Sequence, residues 1–418
     1  MRENSNRSPD KSVNDVIAVL KELFSEELHH RLFLVGGTIR DHVMGKPGSD
    51  VDLVTDLSAQ HLELLGFHHV HGKSTDPIFF KSHPQFGKLE ITILKPGQSL
   101  EDNLLLRDFR CNALAMRLDG TIIDPLCGQN DIENRVVVPC SPRSLDEDPI
   151  RIFRALCLES HGWRLSPELI REVHEYPWEK RLTDIPIERF TRELMKAMAG
   201  ERPYSFFERM IEHGVGRCYL PEIFDMQHVP AGPSKYHNND TVFSHSLDAL
   251  RRMTLLTDDP AARLAAFFHD LGKLTTPREM LPSHIGHDKA GEPFSRTVCS
   301  RLKLSAPWSR LIAATSALHL VAGRWQELRP VTKLKLARRS HKCGISAWLP
   351  LLVSADRNTG NPMPGWNMAC QAAVMTAAKM GLTGEIIEKT ALTERKRLIE
   401  KLQMECYLTM LANKGAVD

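Results

Sequence analysis

At 418 residues the chain is longer than one ordinary hydrophobic core can organise, so two or three domains are expected. Its 42% hydrophobic and 25% charged residues, with a mean hydropathy of −0.27, belong to a globular protein in water. No run of about 18 apolar residues occurs and residues 1–13 are polar, which speaks against a membrane-spanning or secreted class and predicts a cytoplasmic protein with no membrane partner. Nine scattered cysteines without a Cys-x-x-Cys pair exclude a disulfide framework and a zinc ribbon, and a net charge of +2 announces no polyanion-binding field.

In chain order, residues 1–30 read as a polar extension and then a helix from Val13 to His30, with Val16, Val19, Leu20, Phe24 and Leu28 at helical spacing. From Leu34 a short apolar strand runs into the Gly36-Gly37 turn, a helix carrying Arg40 and Asp41, and then Asp50-Val51-Asp52 entering a second strand. Paired glycines let the backbone approach a phosphate, and the helix start offers free N–H groups for it. On a strand, Asp50 and Asp52 would face the same way about 6.6 Å apart, near enough to share divalent ions. Phosphates beside a pair of Mg²⁺-binding acids suit nucleotidyl transfer. Further strands are predicted at 78–81 and 88–94, the latter carrying Glu90 as a third carboxylate able to steer a metal or an attacking hydroxyl. Alternating strands and helices over 31–139 predict a small head with a mixed sheet in an α+β chain. After Pro139 the strand signal fades and helices dominate, punctuated by Pro149, Pro167, Pro186, Pro203 and Pro221. The expected divisions are the extension and helix (1–30), the head (31–139), a helical neck (140–227), a second helical domain (240–370) and a helical tail (371–418), with a Gly/Pro/Asn-rich linker at 228–239.

Three more segments carry polar residues in suggestive patterns. Arg107, Asp108 and Asn112 stand together in the segment 101–115; an arginine for phosphate oxygens and an asparagine for a sugar hydroxyl make chemical sense there. Asp124-Pro125 opens a turn leading into a helix cap. Asp148, Arg151 and Arg154 recur every three residues along one side of a helix expected to start near Pro149. An acceptor beside a rigid donor fork could read the edge of a nucleobase; surface pairs at i,i+3 are the plainer alternative.

The run Leu34-Val-Gly-Gly-x-x-Arg-Asp, a loop and Asp-x-Asp resembles the head domain of the tRNA nucleotidyltransferase and bacterial poly(A) polymerase family, and the segments at 101–115, 123–131 and 146–154 resemble its later motifs. The resemblance implies a polymerase-beta-like head, catalysis by Asp50, Asp52 and Glu90 with Mg²⁺ on the two aspartates, and nucleotide contacts from Gly36, Gly37, Arg40, Arg107, Asp108 and Asn112. It further implies selection of CTP or ATP by Asp148, Arg151 and Arg154, with tRNA as partner. Leu106, Arg110 and Cys157 depart from the family pattern. The joint between Leu94 and Glu101 holds only Lys-Pro-Gly-Gln-Ser-Leu, too short for the mobile loop of relatives that add both C and A, and its loss in relatives goes with stopping after two cytidines. The alternatives are a poly(A) polymerase or a catalytically weakened RNA-binding or regulatory protein.

In the second half, His245, His269-Asp270, His284, His287 and Asp356 supply imidazoles and carboxylates suited to Ni²⁺, Mn²⁺, Fe²⁺ or Mg²⁺. Phe243-Ser-His, His269-Asp-Leu-Gly-Lys, His284-x-x-His and Ser354-Ala-Asp-Arg resemble, in order, the ligand segments of HD-domain phosphohydrolases. That resemblance implies a helical metal domain hydrolysing phosphomonoesters or 2′,3′-cyclic phosphates.

Overall fold

The short β-rich runs of the first third pair into one sheet, while the longer runs that follow stay helical. A computed structural model describes residues 12–46, 51–69, 77–237, 240–382 and 391–414. It divides into two compact units, Met1–Trp178 and Glu179–Asp418, a division that falls inside the stretch read from sequence as the neck.

The first unit contains α1 (Val13–Leu23), β1 (Leu32–Val35), α2 (Gly37–Val43), β2 (Val51–Thr55), α3 (Ala59–Leu64), β3 (His68–His69), β4 (Ile78–His83) and β5 (Gly87–Ile93). There follow α4 (Leu100–Leu105), β6 (Ala115–Arg117), β7 (Ile122–Ile123), α5 (Gly128–Asn134), β8 (Val136–Val137), α6 (Ser144–Glu147), α7 (Arg151–Ser160), β9 (Arg164–Leu165) and α8 (Pro167–Glu175). Seven strands form one sheet in the order β3-β4-β5-β2-β1-β6-β7. Every pairing is antiparallel except β2 with β5, which run parallel and in register from Val51 opposite Leu89 to Thr55 opposite Ile93. This is the expected mixed sheet. Val35, Val54, Leu100, Leu104, Ala113 and Ala115 form a buried cluster that ties α4 to the sheet.

Two expectations about elements need correction. The helix begun at Val13 stops at Leu23: Phe24 turns extended, its N–H bonding Leu20, and is buried against Phe67 with ring centroids 6.1 Å apart; a separate 3₁₀ turn covers Glu26–Arg31. Strand pairing also does not end at Pro139, because β9 adds to β8 in parallel and Ser166 N–H bonds Val137 C=O at 3.0 Å. The joint before α4 is as tight as predicted. Gln98 N–H bonds Lys95 C=O at 2.9 Å, and Ser99 and Asp102 form a capping box.

The second unit is helical among its described residues: α9 (Glu179–Leu182), α10 (Ile187–Met198), α11 (Pro203–His213), α12 (Pro221–Asp225), α13 (Ser234–His237), α14 (Val242–Leu256), α15 (Pro260–Phe268), α16 (His287–Arg301), α17 (Ala306–Gly323), α18 (Pro330–Cys343), α19 (Leu349–Arg357), α20 (Trp366–Ala373) and α21 (Leu392–Lys414). Helix α15 is buried along its described length except at Pro260 and carries Phe267, stacked on Phe207 at 3.8 Å. Its one charge, Arg263, is satisfied by the carbonyls of Met198, Gly200 and Thr257. Gly272 and Gly291 let the turn after α15 press against α16, since a Cβ on Gly272 would overlap the His287 carbonyl. No helix among the described residues is long and apolar enough to cross a membrane.

Two candidate active sites

In the first unit, Gly36 takes φ +78° and α2 begins one residue later, so the strand-glycine-helix turn forms as the sequence predicts. Asp52 in β2 lies opposite Glu90 in β5, and residues in register on neighbouring strands share a face. Asp50 lies outside the described residues. Arg107, at the exit of α4, brings its guanidinium beside Gly36, as Asp52 does its carboxylate: a Cβ built on Gly36 would stand 2.8 Å from Arg107 Nη1 and 3.7 Å from Asp52 Oδ2. Burial lowers the Arg107 pKa, against the carboxylates of Asp52 and Asp108, which support its charge. Glu90 is held by Lys88 Nζ at 2.6 Å.

The remaining motif residues brace one another. Arg40 Nη1 donates to Asn112 Oδ1 at 2.8 Å, Asn112 Nδ2 donates to Asp108 Oδ1 at 3.1 Å, and Arg154 Nη1 lies 3.0 Å from Asp108 Oδ2. Burial pushes Asp108 up, but Arg154, the Asn112 amide and the Phe109 N–H outweigh it and hold the carboxyl below its usual value. Arg110 is no defect: it grips Asp131 bidentately at 2.8 and 3.1 Å and so joins the second motif to the third. Asp124 caps α5 through Gly128 N–H at 2.6 Å, as its plain reading predicts.

Asp148, Arg151 and Arg154 do not share one side of a helix. Asp148 is extended (φ −150°) and α7 starts only at Arg151, because Pro149 and Ile150 are spent on the turns that enter it. The Arg151 fork donates to the carbonyls of Leu106, Arg107 and Ser144 at 2.8, 3.3 and 3.1 Å, while Arg154 turns to Asp108.

In the second unit α14, the end of α15, α16, α17 and α19 converge. His245 Nε2 lies 3.0 Å from Asp356 Oδ1 and 3.4 Å from Asp270 Oδ2; His269 Nε2 lies 3.2 Å from Asp270 Oδ2. Asp270 Oδ1 faces His287 Nε2 at 3.2 Å and His319 Nε2 at 3.4 Å. Two overlapping sets, His245/His269/Asp270 and Asp270/His287/His319, each bring their ligand atoms within 4.8 Å of one another. The Nδ1 atoms of His269, His287 and His319 lie 2.7, 2.6 and 2.8 Å from the carbonyls of Ala266, His284 and Ser316. A proton on each Nδ1 satisfies that carbonyl and turns the Nε2 lone pair to the centre, the tautomer a metal takes. Lone pairs facing carboxylate oxygens across about 3 Å repel unless a cation or a proton lies between, so this donor set fits divalent ions. Burial works against it, yet Asp270 and Asp356 raise His269 to about 10. Despite their own burial, both carboxylates fall well below the usual value.

His284, expected as a ligand, belongs to neither set. Its Nδ1 meets Thr276 Oγ1 and its Nε2 meets the Pro230 carbonyl, both at 2.8 Å, so both ring nitrogens are committed to the wall. His319, from α17, takes the place instead. A cavity of about 790 Å³ opens over the cluster, and Lys235, Arg252, Lys273 and Arg357 add positive charge to its lining.

Paired carboxylates beside a glycine turn in one unit and a buried histidine-aspartate cluster in the other define a nucleotidyltransferase head joined to an HD-type metal domain. Residues 32–83 and 67–138 match the Poly A polymerase head domain, 168–226 the family described as "Probable RNA and SrmB- binding site of polymerase A", and 242–341 the HD domain. The chain is 33% identical to the multifunctional CCA protein of Tolumonas auensis, over 90% of this chain and 98% of that protein. It is 32% identical to that of Mannheimia succiniciproducens over 73% and 77% of the two. Its fold resembles the Bacillus stearothermophilus CCA-adding enzyme in complex with CTP, with a TM-score of 0.63 and 20% identity over 93% of this chain and 91% of that one. It also resembles the Thermotoga maritima CCA-adding enzyme complexed with tRNA, with a TM-score of 0.56 and 18% identity over 96% and 95% of the two. The chain belongs to the multifunctional CCA protein family.

Proposed function

We propose that the chain adds cytidylate to the 3′ end of tRNA from CTP, stopping after two residues, and that its HD unit is a separate phosphohydrolase. The transferase reading rests above all on Asp52 and Glu90 in register on one face, with Arg107 and Gly36 beside Asp52. In it, Arg107 exchanges Asp52 for the triphosphate, and Gly36-Gly37 admits the phosphates close to the backbone. Glu90 orients the attacking 3′-hydroxyl. Mg²⁺ on Asp52 and Asp50, with Glu90 alongside, would neutralise charge on the hydroxyl and the departing pyrophosphate. Asp148 and Arg151 read the base. The carbonyls that grip Arg151 keep its fork fixed, so a protein edge can stand in for a template base. The likeness to multifunctional CCA proteins favours this over the poly(A) polymerase reading, and the Arg110–Asp131 clamp removes one argument for a weakened enzyme. A tRNA substrate would suit a cytoplasmic protein.

The limit to two cytidines is carried by the stiff joint of Lys95–Ser99, which leaves no lever to reshape the base pocket for ATP. In the HD unit, His245, His269, Asp270, His287, His319 and Asp356 would hold Ni²⁺, Mn²⁺, Fe²⁺ or Mg²⁺, which supplies an activated water at neutral pH. The basic lining would hold the phosphate of a phosphomonoester or a 2′,3′-cyclic phosphate.

One assay decides: tRNAs lacking CCA, CA or A, with Mg²⁺ and CTP or ATP offered singly. The expected result is one or two cytidines and no terminal A. Efficient A addition to tRNA ending in CC overturns the limit, long A tails mean a polymerase, and no addition overturns the transferase reading.

A further inference from the structure

The row that holds the two carboxylates does not stop at Glu90. Across β3-β4-β5-β2 the residues in register are His68, Phe80, Glu90 and Asp52, all on one face, while Phe79, pointing the other way, is buried. Two residues along β5 on that face, Lys88 sets its Nζ 5.3 Å from the centre of the Phe80 ring. The His68 and Phe80 ring centroids are 5.9 Å apart. A depression of about 560 Å³, lined by Phe80, Ser82, His83, Pro84, Gly87 and Lys88, opens beside the row.

The strand order gives this patch a direction. Gly36 and Arg107 lie on the β1 side of Asp52 and Glu90 lies on the β5 side. Displacement at phosphorus is in line, so with the triphosphate on the β1 side the attacking hydroxyl arrives from the β5 side. The nucleotide carrying that hydroxyl then lies over the next strand, β4, where an aromatic face and an ammonium stand together. Single-stranded RNA is held by this pairing: a ring under the base and a cation near the backbone.

We propose that Phe80 and Lys88, with His68 at the margin, form the bed for the last nucleotide of the tRNA acceptor strand. Phe80 stacks on its base, and Lys88 exchanges Glu90 for the phosphodiester. The proposal rests on the transferase reading above, but its test separates the two.

The experiment is steady-state CMP addition to tRNA lacking CCA, varying tRNA and CTP in turn. Phe80→Leu keeps an apolar side chain without a stacking face. It should raise KM for tRNA about tenfold, leave KM for CTP unchanged, and be rescued by Phe80→Tyr. Lys88→Gln should lessen the salt dependence of KM for tRNA. An unchanged KM for tRNA in Phe80→Leu, or an equal rise in both KM values, overturns the bed. Wild-type protein without activity overturns the transferase reading instead. A binding measurement still judges the bed should that happen or should Phe80→Leu unfold. The added emission of Phe80→Trp over wild type should be quenched by tRNA and not by CTP; no quenching by tRNA overturns the proposal.

Discussion

Around Asp52 the described acids Asp52, Glu90 and Asp108 each face a cation of the protein itself: Arg107 by Asp52, Lys88 by Glu90, Arg154 by Asp108. Around Asp270 the acids face imidazoles that turn their Nε2 atoms inward, and Lys273 at 2.6 Å is the one permanent cation bonded to Asp270 among the described residues. Among the described residues the first arrangement pairs its acids with cations, which in the proposed reading a nucleotide would displace. The second turns imidazole nitrogens and carboxylate oxygens on one another across about 3 Å, a donor set that a resident cation would complete. In the proposed reading the two units therefore meet ligands differently, one by exchange and one by completion.

The largest test of that contrast is reciprocal. Asp52→Asn should cut nucleotide addition about a thousandfold or more while leaving hydrolysis of p-nitrophenyl phosphate intact, and Asp270→Asn should do the reverse; parallel loss in either variant erases the distinction. Next is Arg154→Met, which takes from the buried Asp108 carboxylate its bonded cation, leaving the Asn112 and Phe109 donors, and should cost about 2 kcal/mol in urea unfolding at neutral pH. The pH dependence has a definite sign. Asp108 is held below its usual 3.8 in the folded protein, so its contribution is complete above that value and is lost as pH falls. Wild type and variant should thus converge below about pH 4; a gap independent of pH would show that packing, not charge, was lost.

Gly128→Ala should cost about 2 kcal/mol, because a Cβ there overlaps the Arg110 carbonyl and loosens the clamp on Asp131. Thermal melts would register it, and a neutral result would mean that the second and third motifs yield easily. The smallest expected effect sharpens the histidine assignment. His319→Ala should weaken Mn²⁺ uptake at least tenfold by elemental analysis, whereas His284→Ala should leave metal content unchanged.

Much of the first site could be read from the sequence because its residues lie within short, turn-bounded segments: a glycine pair between strand and helix, and Glu90 on a strand beside Asp52. Side-chain partners were less legible. Asp148, Arg151 and Arg154 have the spacing of a helix face, but a proline at 149 delays the helix, leaving Asp148 extended ahead of it, while Arg151 grips backbone carbonyls and Arg154 pairs with Asp108. In the second unit a His-x-x-His spacing suggested both His284 and His287, yet only the backbone turn decides which ring faces inward. His319 was missed because α17 is apolar almost throughout, Leu-Ile-Ala-Ala-Thr-Ser-Ala-Leu-His-Leu over 311–320. Its signal was the polar ring itself: an imidazole that deep in an apolar helix must satisfy both nitrogens, and a ligand role does so.

The capping box at Ser99 and Asp102 gives α4 a start that owes nothing to what precedes it. A splice between Leu94 and Ser99 would reach neither the helix nor the strand, and lengthening a surface connection costs little, since closure entropy grows only with the logarithm of its length. Loops of different length can be grafted or trimmed at that one junction without rebuilding the sheet or α4 on either side of it.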